Sequence, residues 1–476
     1  MTRACGAAAI VAVFSGTVPA FAQPAASGEL DPRIQKLISS ISEERLQALL
    51  TKLSSFHTRN TLSDPNLPNG LGEARQWILD EMKKSSPRLQ VSFDTHMIPA
   101  GGRITHDVEL RNIIAVLPGK SPRRIYVSGH YDSLNLGPRG QSGLNTGGAR
   151  GQAPGAAGQA AATPPQTGQR GRGGNPAEAG QQGTGRGRAP RDPNVVAPGA
   201  NDDGSGTVLS MELARVFAES GIEFDATLVF MAVAGEEQGL VGSTEHAKRM
   251  KEQKISVQAL FNNDIVGGTT AGNGIVDGAT IRVYSEGPED SPSRSLANFA
   301  KRIAEKYVPS HEIRLMARRD RFGRGGDHSG FNSQGFAAIG FRESRENYSK
   351  QHNANDTLDG VSFPYLAQNA RVNAAGMAVL ALAPPPPDVR QNMLSRSPSG
   401  YDARLRWSAS PGAAGYRIFW RTAWAPDWEN ELYVGNVTEF ILPDKNIDDH
   451  VFGVAAIGPG GHESTISAYV MAPRNE

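Results

Sequence analysis

Residues 225–243 read DATLVFMAVAGEEQGLVGS: an apolar run rich in β-formers, two adjacent carboxylates, and then a turn. Such a continuous apolar run is typical of a strand buried on both faces. Glu236 and Glu237 follow at the predicted end of this strand, where their like charges repel each other. Either both are solvated surface residues, or a cation offsets the repulsion. The same order, a strand and then polar residues, recurs along the chain and predicts its fold.

Short apolar runs alternate with helix-like segments from residue 111 to residue 383. This alternation predicts an α/β fold in which helices flank a mostly parallel central sheet. Ligands of such sheets collect beyond the carboxyl ends of the strands. Helical spacing of apolar residues predicts further helices over 33–53 and 74–82. The apolar runs are RNIIAVLPG, RRIYVSGHYDS, ATLVFMAVAGEE, QALFNNDIVGG and AAIGFRES.

The first residues have the features of a secretory signal peptide, predicted over 1–22. Arg3 supplies a positive charge, AAAIVAVF an apolar region, and 20–22 (Ala-Phe-Ala) a cleavage site. No later apolar run approaches the ~20 residues that a bilayer requires, so we expect no membrane span. The only cysteine, Cys5, lies inside the signal, so a metal site of the mature chain must use His and carboxylates. We expect a secreted or periplasmic protein.

One segment interrupts the α/β domain, which is predicted over 23–383. Residues 134–198 consist mainly of Gly, Gln, Ala, Pro and Arg, and too few apolar residues are present to offset the entropy of ordering. We expect a disordered insertion that forms a flap at the mouth of the site. Its Arg-Gly pairs lack interleaved aromatic residues, which argues against RNA binding. The balance of 49 Lys+Arg with 48 Asp+Glu gives no further argument for a nucleic acid.

The C-terminal part of the chain has a different pattern. Residues 384–387 (PPPP) predict a stiff linker. Over 388–476, apolar and polar residues alternate between Gly, Pro and Asn turns, which predicts a small all-β sandwich. This sandwich resembles a fibronectin type III module, and contact with a protein or a glycan is its expected role if it is more than a spacer.

Polar clusters stand at the predicted strand ends or in the loops that follow them. A ligand set of two histidines and several carboxylates without cysteine suits two zinc ions that share one carboxylate. The spacing His-x-Asp also lets the carboxylate lie beside the imidazole and fix its tautomer. Each motif alone is equally consistent with a solvated turn, a paired histidine or a helix cap by Asp203 or Ser205. The clusters contain His130 and Asp132, Asp202, Glu236 and Glu237, Asp264, and His352.

Taken together and in this order, these motifs resemble the co-catalytic zinc exopeptidases of peptidase clan MH, relatives of aminopeptidase Y, glutamate carboxypeptidase II and glutaminyl cyclase. The resemblance covers about 33–383 without the insertion. It implies one zinc ion held by His130, Asp202 and Asp264. It implies a second held by Asp202, Glu237 and His352, with Asp202 bridging.

The resemblance also implies catalytic roles. Glu236 would be the general base and acid, and Asp132 would orient His130. The peptide bond between Asp202 and Asp203 is often cis in this family. The implied function is a zinc-dependent aminopeptidase that removes N-terminal residues from peptides with a free N-terminus. A glutaminyl cyclase or a carboxypeptidase on the same scaffold, and a non-catalytic binding or adhesion protein, remain alternatives.

Some positions depart from the family pattern. Gln351 precedes the last histidine, where many relatives have an aromatic residue, and Tyr348 lies three positions before Gln351. Gly326 replaces the serine of a family Ser-Asp-His loop, whose Asp327 and His328 we expect to support the site rather than to bind metal. The sequence does not identify the residue that stabilises the oxyanion.

Overall fold

The computed structural model describes residues 30–137 and 192–470. The predicted signal peptide (1–22) and most of the predicted insertion (134–198) lie outside the described residues. Both described ends of that insertion are part of the folded domain. Leu136 donates its N–H to the carbonyl of His352 (2.8 Å), and Ala197 donates to the carbonyl of His57 (2.9 Å). The predicted boundaries of the insertion therefore include residues that belong to the fold.

The α/β domain contains helices and strands in mixed order along the chain. Its helices of eight residues or more are α1 (Pro32–Ser39), α2 (Glu43–Ser54), α3 (Leu71–Ser85), α4 (Ser205–Glu219), α5 (Val241–Glu252), α6 (Pro292–Tyr307) and α8 (Phe363–Leu382), and α7 (His328–Asn332) is shorter. Its strands are β1 (Gln90–Ile98), β2 (Val108–Leu117), β3 (Ser121–His130), β4 (Ala226–Val233), β5 (Val257–Asn263), β6 (Thr280–Ser285), β7 (Glu312–Met316) and β8 (Ala338–Glu343).

These strands form one mixed sheet in the order β1-β2-β4-β3-β5-β8-β6-β7. Its centre, β4-β3-β5-β8, is parallel, whereas β1, β2 and β6 join it through antiparallel pairs. The predicted α/β fold with a central sheet flanked by helices is confirmed. The edge strands β1 and β7 and the neighbouring strand β6 were not predicted, because their short or alternating patterns lack the long apolar runs of the central strands.

Two apolar clusters cover the two faces of the sheet. Alternate residues of a strand point to opposite faces, so Ile113 and Ile125 pack with α1–α4, α6 and α8, whereas Ile114 and Tyr126 pack with α5 and α7. The domain therefore has three layers, with the sheet between two layers of helices. Helix α4 is buried along nearly its whole length, and α4 begins where the polar cluster around Asp202 ends.

The stretch predicted as helical over 33–53 forms two helices rather than one. The Asp31 carboxylate accepts a hydrogen bond from the Arg33 N–H and caps α1, and the Ser42 hydroxyl accepts one from the Arg45 N–H and caps α2. Both caps satisfy N–H groups that a helix start leaves unpaired. Apolar spacing alone does not reveal this break.

The C-terminal all-β region consists of two antiparallel sheets with a common core. Residues Leu405 and Trp407 of one sheet and Ile418, Phe452 and Val454 of the other belong to one apolar cluster. The predicted all-β sandwich is confirmed, and its likeness to fibronectin type III stays a prediction. Its strands are β9 (Leu394–Arg396), β10 (Ala403–Arg406), β11 (Gly415–Thr422), β12 (Asn430–Gly435), β13 (Glu439–Leu442), β14 (His450–Ile457) and β15 (Ser467–Ala468), in the orders β13-β10-β9 and β12-β11-β14-β15.

The sandwich contacts the α/β domain through ion pairs. Arg421 pairs with Asp290 (2.7 Å), and Arg302 pairs with Glu463 (2.8 Å). These contacts connect β11 and the loop after β14 to both ends of α6.

Among the described residues, no helix combines the length and the apolar character that a membrane span requires.

Candidate metal centre

The parallel strands bring the sequence-predicted residues to one edge of the sheet. His130 is the last residue of β3, Glu237 follows β4, and Asp264 follows β5. Asp202 lies in the turn of residues 200–204 that leads into α4, and His352 lies between β8 and α8. Because β3, β4 and β5 are parallel neighbours, their carboxyl ends meet at the same edge. We call these five residues the candidate metal centre.

The first half of the candidate metal centre is formed by His130, Asp202 and Asp264. The Nε2 atom of His130 lies 3.4 Å from Asp202 Oδ1 and 3.7 Å from Asp264 Oδ1. One ligand atom from each residue lies within 4.8 Å of the others. All three side chains are buried.

The second half is formed by Asp202, Glu237 and His352. The Nε2 atom of His352 lies 3.1 Å from Asp202 Oδ2 and 3.3 Å from Glu237 Oε2. Asp202 thus directs one carboxylate oxygen to each half. This is the arrangement that the bridging role predicted for Asp202 requires.

The unpaired atoms of the centre fit zinc. His130 Nε2, Asp202 Oδ2, Glu237 Oε1 and Asp264 Oδ1 are buried and have no hydrogen-bond partner. Buried polar atoms are nearly always paired, so four unpaired acceptors in one place indicate a missing partner. Nitrogen and carboxylate oxygen without sulfur is a donor set that zinc accepts.

Electrostatics indicate the same missing positive charge. Burial raises the pKa of Glu237 to about 7, and burial with nearby carboxylates raises the pKa of Glu236 well above its usual range. Although burial opposes a charged imidazole, Glu237 and Asp202 raise the pKa of His352 to about 9. The carboxyl groups of the site are therefore not balanced by the cations that the chain supplies.

Asp132 contacts His130 with its backbone carbonyl and its carboxylate, and the role predicted for it, orienting His130, stays a prediction. The Nδ1–H of His130 donates to the backbone carbonyl of Asp132 (3.1 Å), whereas the carboxylate Oδ1 is 3.5 Å away. This contact fixes the tautomer in which Nε2 carries a free lone pair. The carboxylate of Asp132 also accepts hydrogen bonds from the N–H groups of Glu236 and Glu237 (both 3.2 Å) and from the Thr61 hydroxyl (3.3 Å). Asp132 therefore organises the β3 and β4 ends together.

Two further carboxylates hold the segment around Asp202. Asp203 accepts hydrogen bonds from the N–H of His130 (3.0 Å) and from the N–H of Gly206 (2.9 Å), so it caps α4 as one reading of the sequence predicted. Asp356 accepts from the N–H groups of Asn201 and Asp202 (both 2.9 Å). The peptide bond between Asp202 and Asp203 is cis, as the resemblance implies. The role of Asp356 was missed, although it lies in the quoted motif KQHNANDT.

Arg59 is a second contributor that the sequence did not reveal. Its fully buried guanidinium donates to the carbonyls of Tyr131 (2.6 Å), Pro198 (2.6 Å) and Gly199 (2.8 Å). Burial lowers the pKa of Arg59 to about 10, and Asp356 partly opposes this shift. Arg59 thus joins the segment after His130 to the segment before Asp202. No local pattern marks it, because its partners are backbone carbonyls distant in sequence.

The backbone beside two of the ligands is strained. Ile265, directly after Asp264, has a φ of 58°, and His352 has a φ of 55°. A β-branched residue in the left-handed region costs on the order of 1–3 kcal/mol and persists only where the surroundings fix it. Hydrogen bonds fix Ile265 on both sides: its N–H donates to Asp203 (3.1 Å) and its carbonyl accepts from Glu343 (2.8 Å).

Arg342 connects Asp264 to a neighbouring set of charges. Its buried guanidinium pairs with the carboxylate of Asp264 and donates to the Asp264 carbonyl (3.0 Å). It also pairs with Asp320 (3.2 Å). A Cβ on Gly326 would lie 2.4 Å from Arg342 Nη2, so glycine at this position leaves room for the guanidinium. The family serine and this arginine would compete for the same space.

Further arginines and carboxylates continue this set, which we call the arginine–carboxylate network. Arg321 pairs with Asp320 (3.0 Å) and with Glu346 (2.7 Å), and Glu346 also pairs with Arg282 (2.5 Å). Every carboxylate of the network therefore contacts a guanidinium. The network consists of Arg282, Asp320, Arg321, Arg342 and Glu346.

The remaining predicted positions lie around the centre. Asp327 is buried, and burial with the carboxylates of the site raises its pKa to about 7. His328 bonds with the Arg319 carbonyl (2.8 Å), consistent with support of a loop. Tyr348 is half exposed and lies beside Arg324, and Gln351 donates to Glu346 (3.2 Å).

Several histidines outside the candidate metal centre have other partners. His96 and His246 each bond with Asp94 (both 2.9 Å), and His311 bonds with Asn369 (2.6 Å). His462 bonds with Asp31 (3.0 Å).

Comparisons with known proteins agree with this geometry. The model of peptidase family M28 matches residues 187–377, a segment that holds every predicted ligand except His130. A probable zinc metalloprotease of Pyricularia oryzae is 33% identical, covering 91% of this chain and 84% of the relative. A second, of Leptosphaeria maculans, is also 33% identical and covers 91% and 96%. Legionella pneumophila LapA aminopeptidase has a similar fold, with a TM-score of 0.51, 19% identity, and coverage of 76% and 78%.

The fold, the buried histidine–carboxylate centre and these relatives define a zinc metallopeptidase. The chain belongs to peptidase family M28. The resemblance inferred from the sequence motifs is thereby confirmed at the level of the family.

Proposed function

We propose that the protein is a secreted aminopeptidase that uses two zinc ions to hydrolyse N-terminal residues from peptides. The observation that carries the proposal is the division of the candidate metal centre into two three-residue groups that share Asp202. A single zinc ion does not require both His130 and His352. The relation to LapA, an aminopeptidase by name, extends only to the fold and is consistent with this activity.

The residues that would hold zinc follow from the geometry. His130 and Asp264 would hold one ion, Glu237 and His352 the other, and Asp202 both. When bound, zinc ions polarise a peptide carbonyl and lower the pKa of water towards ~7. Asp132 keeps His130 in the tautomer that leaves Nε2 free, and Asp356 keeps the Asp202 segment in place.

Glu236 is the proposed general base and acid. Its backbone N–H is held by Asp132, as is that of Glu237, so the two adjacent side chains leave the end of β4 from a fixed backbone. Glu237 belongs to the ligand group, whereas Glu236 is not part of either group and remains partly exposed. The carboxylate of Glu236 accepts a proton from the attacking water and delivers it to the departing amine.

The substrate would be a peptide with a free N-terminus. A free amine carries a lone pair that a bound zinc ion could accept, whereas the nitrogen of an acetylated N-terminus does not.

Substitution of Glu236 tests the proposal directly. For Glu236→Ala we expect zinc content to be unchanged and the kcat for leucine para-nitroanilide to fall at least ~10²-fold, since proton transfer is lost. Glu252→Ala, at the exposed last residue of α5, is the control and should leave the rate unchanged. Unchanged hydrolysis in Glu236→Ala would contradict the role of this residue.

Substrate variants separate the alternatives. An aminopeptidase cuts leucine para-nitroanilide and does not cut its N-acetyl derivative. Release of pyroglutamate from glutaminyl para-nitroanilide would instead identify a cyclase, and hydrolysis of acetylated substrates at their C-terminus would identify a carboxypeptidase. Absence of any turnover by zinc-loaded protein would favour a non-catalytic binding protein.

Export and the role of the sandwich are separate proposals. Cleavage after Ala22 would place Gln23 at the N-terminus of a secreted or periplasmic mature protein, which N-terminal mass analysis of the exported protein tests. An N-terminus at Met1 would contradict it.

The all-β sandwich would contact a protein or a glycan. Its Trp424 is exposed, and loss of retention on a glycan array in Trp424→Ala would support that role.

A further inference from the structure

A cavity of about 400 Å³ adjoins the second half of the candidate metal centre. Asn201, Gln351 and Asp356 contribute to its wall. Asn201 and Gln351 are the residues directly before Asp202 and His352, and Asp356 holds the N–H of Asp202. The wall of the cavity is thus built partly from the chain segments that carry Asp202 and His352.

The wall contains a buried carboxylate without a cation. Glu343 is 1% exposed, and its carboxylate accepts hydrogen bonds from the side-chain amide of Asn201 (2.9 Å) and the N–H of Gly268. Within residues 30–137 and 192–470, no Lys, Arg or His forms an ion pair with Glu343. Burial raises the pKa of Glu343 well above its usual range. The nearby Glu346 differs in this respect, because its carboxylate contacts three arginines.

A second wall residue presents an unpaired acceptor. Gln351 is 6% exposed, and its Oε1 atom is buried without a hydrogen-bond partner. Its Nε2 donates to the Glu346 carboxylate (3.2 Å), which fixes the orientation of the amide, since a flipped amide would place two oxygens against each other. The amide oxygen of Gln351 therefore has no donor among the described residues.

The single lysine of the wall is already engaged. Lys350 forms an ion pair with Asp359 at the rim of the cavity. The remaining polar wall includes the carboxyl groups of Glu343 and Asp356, so the wall holds more carboxyl groups than cationic groups. An aliphatic side chain placed there would leave these buried acceptors unpaired, which is unfavourable.

We propose that this cavity receives the cationic side chain of the first residue of the substrate, a guanidinium or an ammonium group, with Glu343 and Gln351 as its acceptors. The inference rests on the proposed aminopeptidase function and specifies its substrate class as peptides that begin with arginine or lysine. The side-chain donors satisfy the acceptors that the protein leaves open, and the cavity volume accommodates a side chain of this length.

The first test compares substrates on the zinc-loaded full chain. We expect kcat/KM for arginine and lysine para-nitroanilides to exceed that for the leucine compound. In Glu343→Gln the ratio of arginine to leucine should fall at least ~10-fold, because a charge-assisted hydrogen bond is lost. Gln351→Met should lower the same ratio. Glu212→Gln, which changes a buried carboxylate of α4 that contacts Arg45 and Arg215 and does not line the cavity, should leave the ratio unchanged.

The second test needs no turnover. Calorimetric titration of the zinc-loaded protein with argininamide and leucinamide should give at least ~10-fold tighter binding of argininamide, and this preference should disappear in Glu343→Gln. Argininamide preference without hydrolysis of any para-nitroanilide would support the subsite while refuting the aminopeptidase. Equal binding of both amides would overturn the proposed subsite. A fall in kcat/KM of the same size for every substrate in Glu343→Gln would overturn it as well.

Discussion

The candidate metal centre and the arginine–carboxylate network are two neighbouring buried charge clusters that balance their charge in different ways. In the network, Asp320 and Glu346 each contact at least two arginines. In the centre, the carboxylate of Asp202 contacts two histidines and that of Glu237 contacts one, and four ligand atoms have no hydrogen-bond partner. The network carries its own cations, whereas the centre is built to receive them.

Asp264, a residue of the centre, contacts Arg342 of the network and shows how the two clusters join. One of its oxygens faces His130 Nε2 without a hydrogen bond, and the other pairs with Arg342. Arg342 therefore directs a single oxygen of Asp264 towards the centre. The difference between the clusters predicts that zinc stabilises one and arginine the other.

The largest expected effect comes from the shared ligand. Asp202→Asn should reduce zinc content and lower kcat/KM by about 10³-fold or more, because the metal contribution to catalysis is several kcal/mol. Elemental analysis and peptide hydrolysis measure the two quantities. Asp192→Asn, at an exposed turn, is the control. Full zinc content with normal activity in Asp202→Asn would contradict the role of Asp202 as the shared zinc ligand.

Removing a cation from the network should cost stability. Arg342→Met leaves Asp264 and Asp320 buried without their guanidinium, and we expect the free energy of unfolding to fall by about 3–5 kcal/mol. Arg319→Met, which breaks a surface pair with Glu286, should cost about 1 kcal/mol or less. Denaturant unfolding compares them. Equal losses for both variants would show that the network is not a structural cluster.

Asp132 should have a smaller effect, through the ligands that it positions. In Asp132→Asn, an amide N–H₂ replaces one of two acceptors for the N–H groups of Glu236 and Glu237, so the end of β4 shifts. Zinc affinity or kcat/KM should fall ~10–100-fold. Asp107→Asn, which accepts the Ala100 N–H in an exposed turn, serves as the control. Unchanged zinc affinity and rate in Asp132→Asn would argue against this positioning role.

The smallest effect concerns pH in the zinc-free protein. The raised pKa of Glu237, about 7, means that the folded state keeps a proton that the unfolded state loses near pH ~4.3, so stability falls as pH rises through this window. The raised pKa of His352, about 9, gives stability that is present below pH ~6.5 and is lost towards pH 9. Both shifts therefore lower stability with rising pH.

Urea unfolding of chelator-treated protein measures this dependence. We expect the free energy of unfolding to fall by about 1 kcal/mol per pH unit between pH ~5 and ~8, and zinc to flatten the curve. Stability that rises with pH over this range, or a slope that zinc leaves unchanged, would contradict the charge balance inferred for the centre.

The same comparison explains what the sequence predicted. His130, Asp202 and Asp264 were recognised because each follows a predicted strand or precedes a predicted helix, where the fold places ligands. Arg59 and Arg342 were missed because an arginine is assigned a partner only by tertiary contacts. The quoted run AAIGFRES contained Arg342, but nothing local distinguishes a network arginine from a solvated one.

Strand β1 and the break between α1 and α2 were not predicted from the sequence, for a related reason. Strand β1 was not recognised, because an edge strand lacks a continuous apolar run, and the break between α1 and α2 depends on the caps Asp31 and Ser42. Asp132 was assigned the correct neighbour, and its backbone carbonyl contacts His130 in addition to the carboxylate that the spacing suggested. Spacing identifies which residues meet, whereas the atom that makes the contact depends on the local backbone.

The most direct measurement is a crystal structure of zinc-loaded protein with anomalous data at the zinc edge. The account predicts two peaks ~3.5–4 Å apart, one bound by His130 and Asp264, the other by Glu237 and His352, and both in contact with Asp202. A single peak, or zinc bound elsewhere while these side chains stay unliganded, would contradict a two-zinc centre.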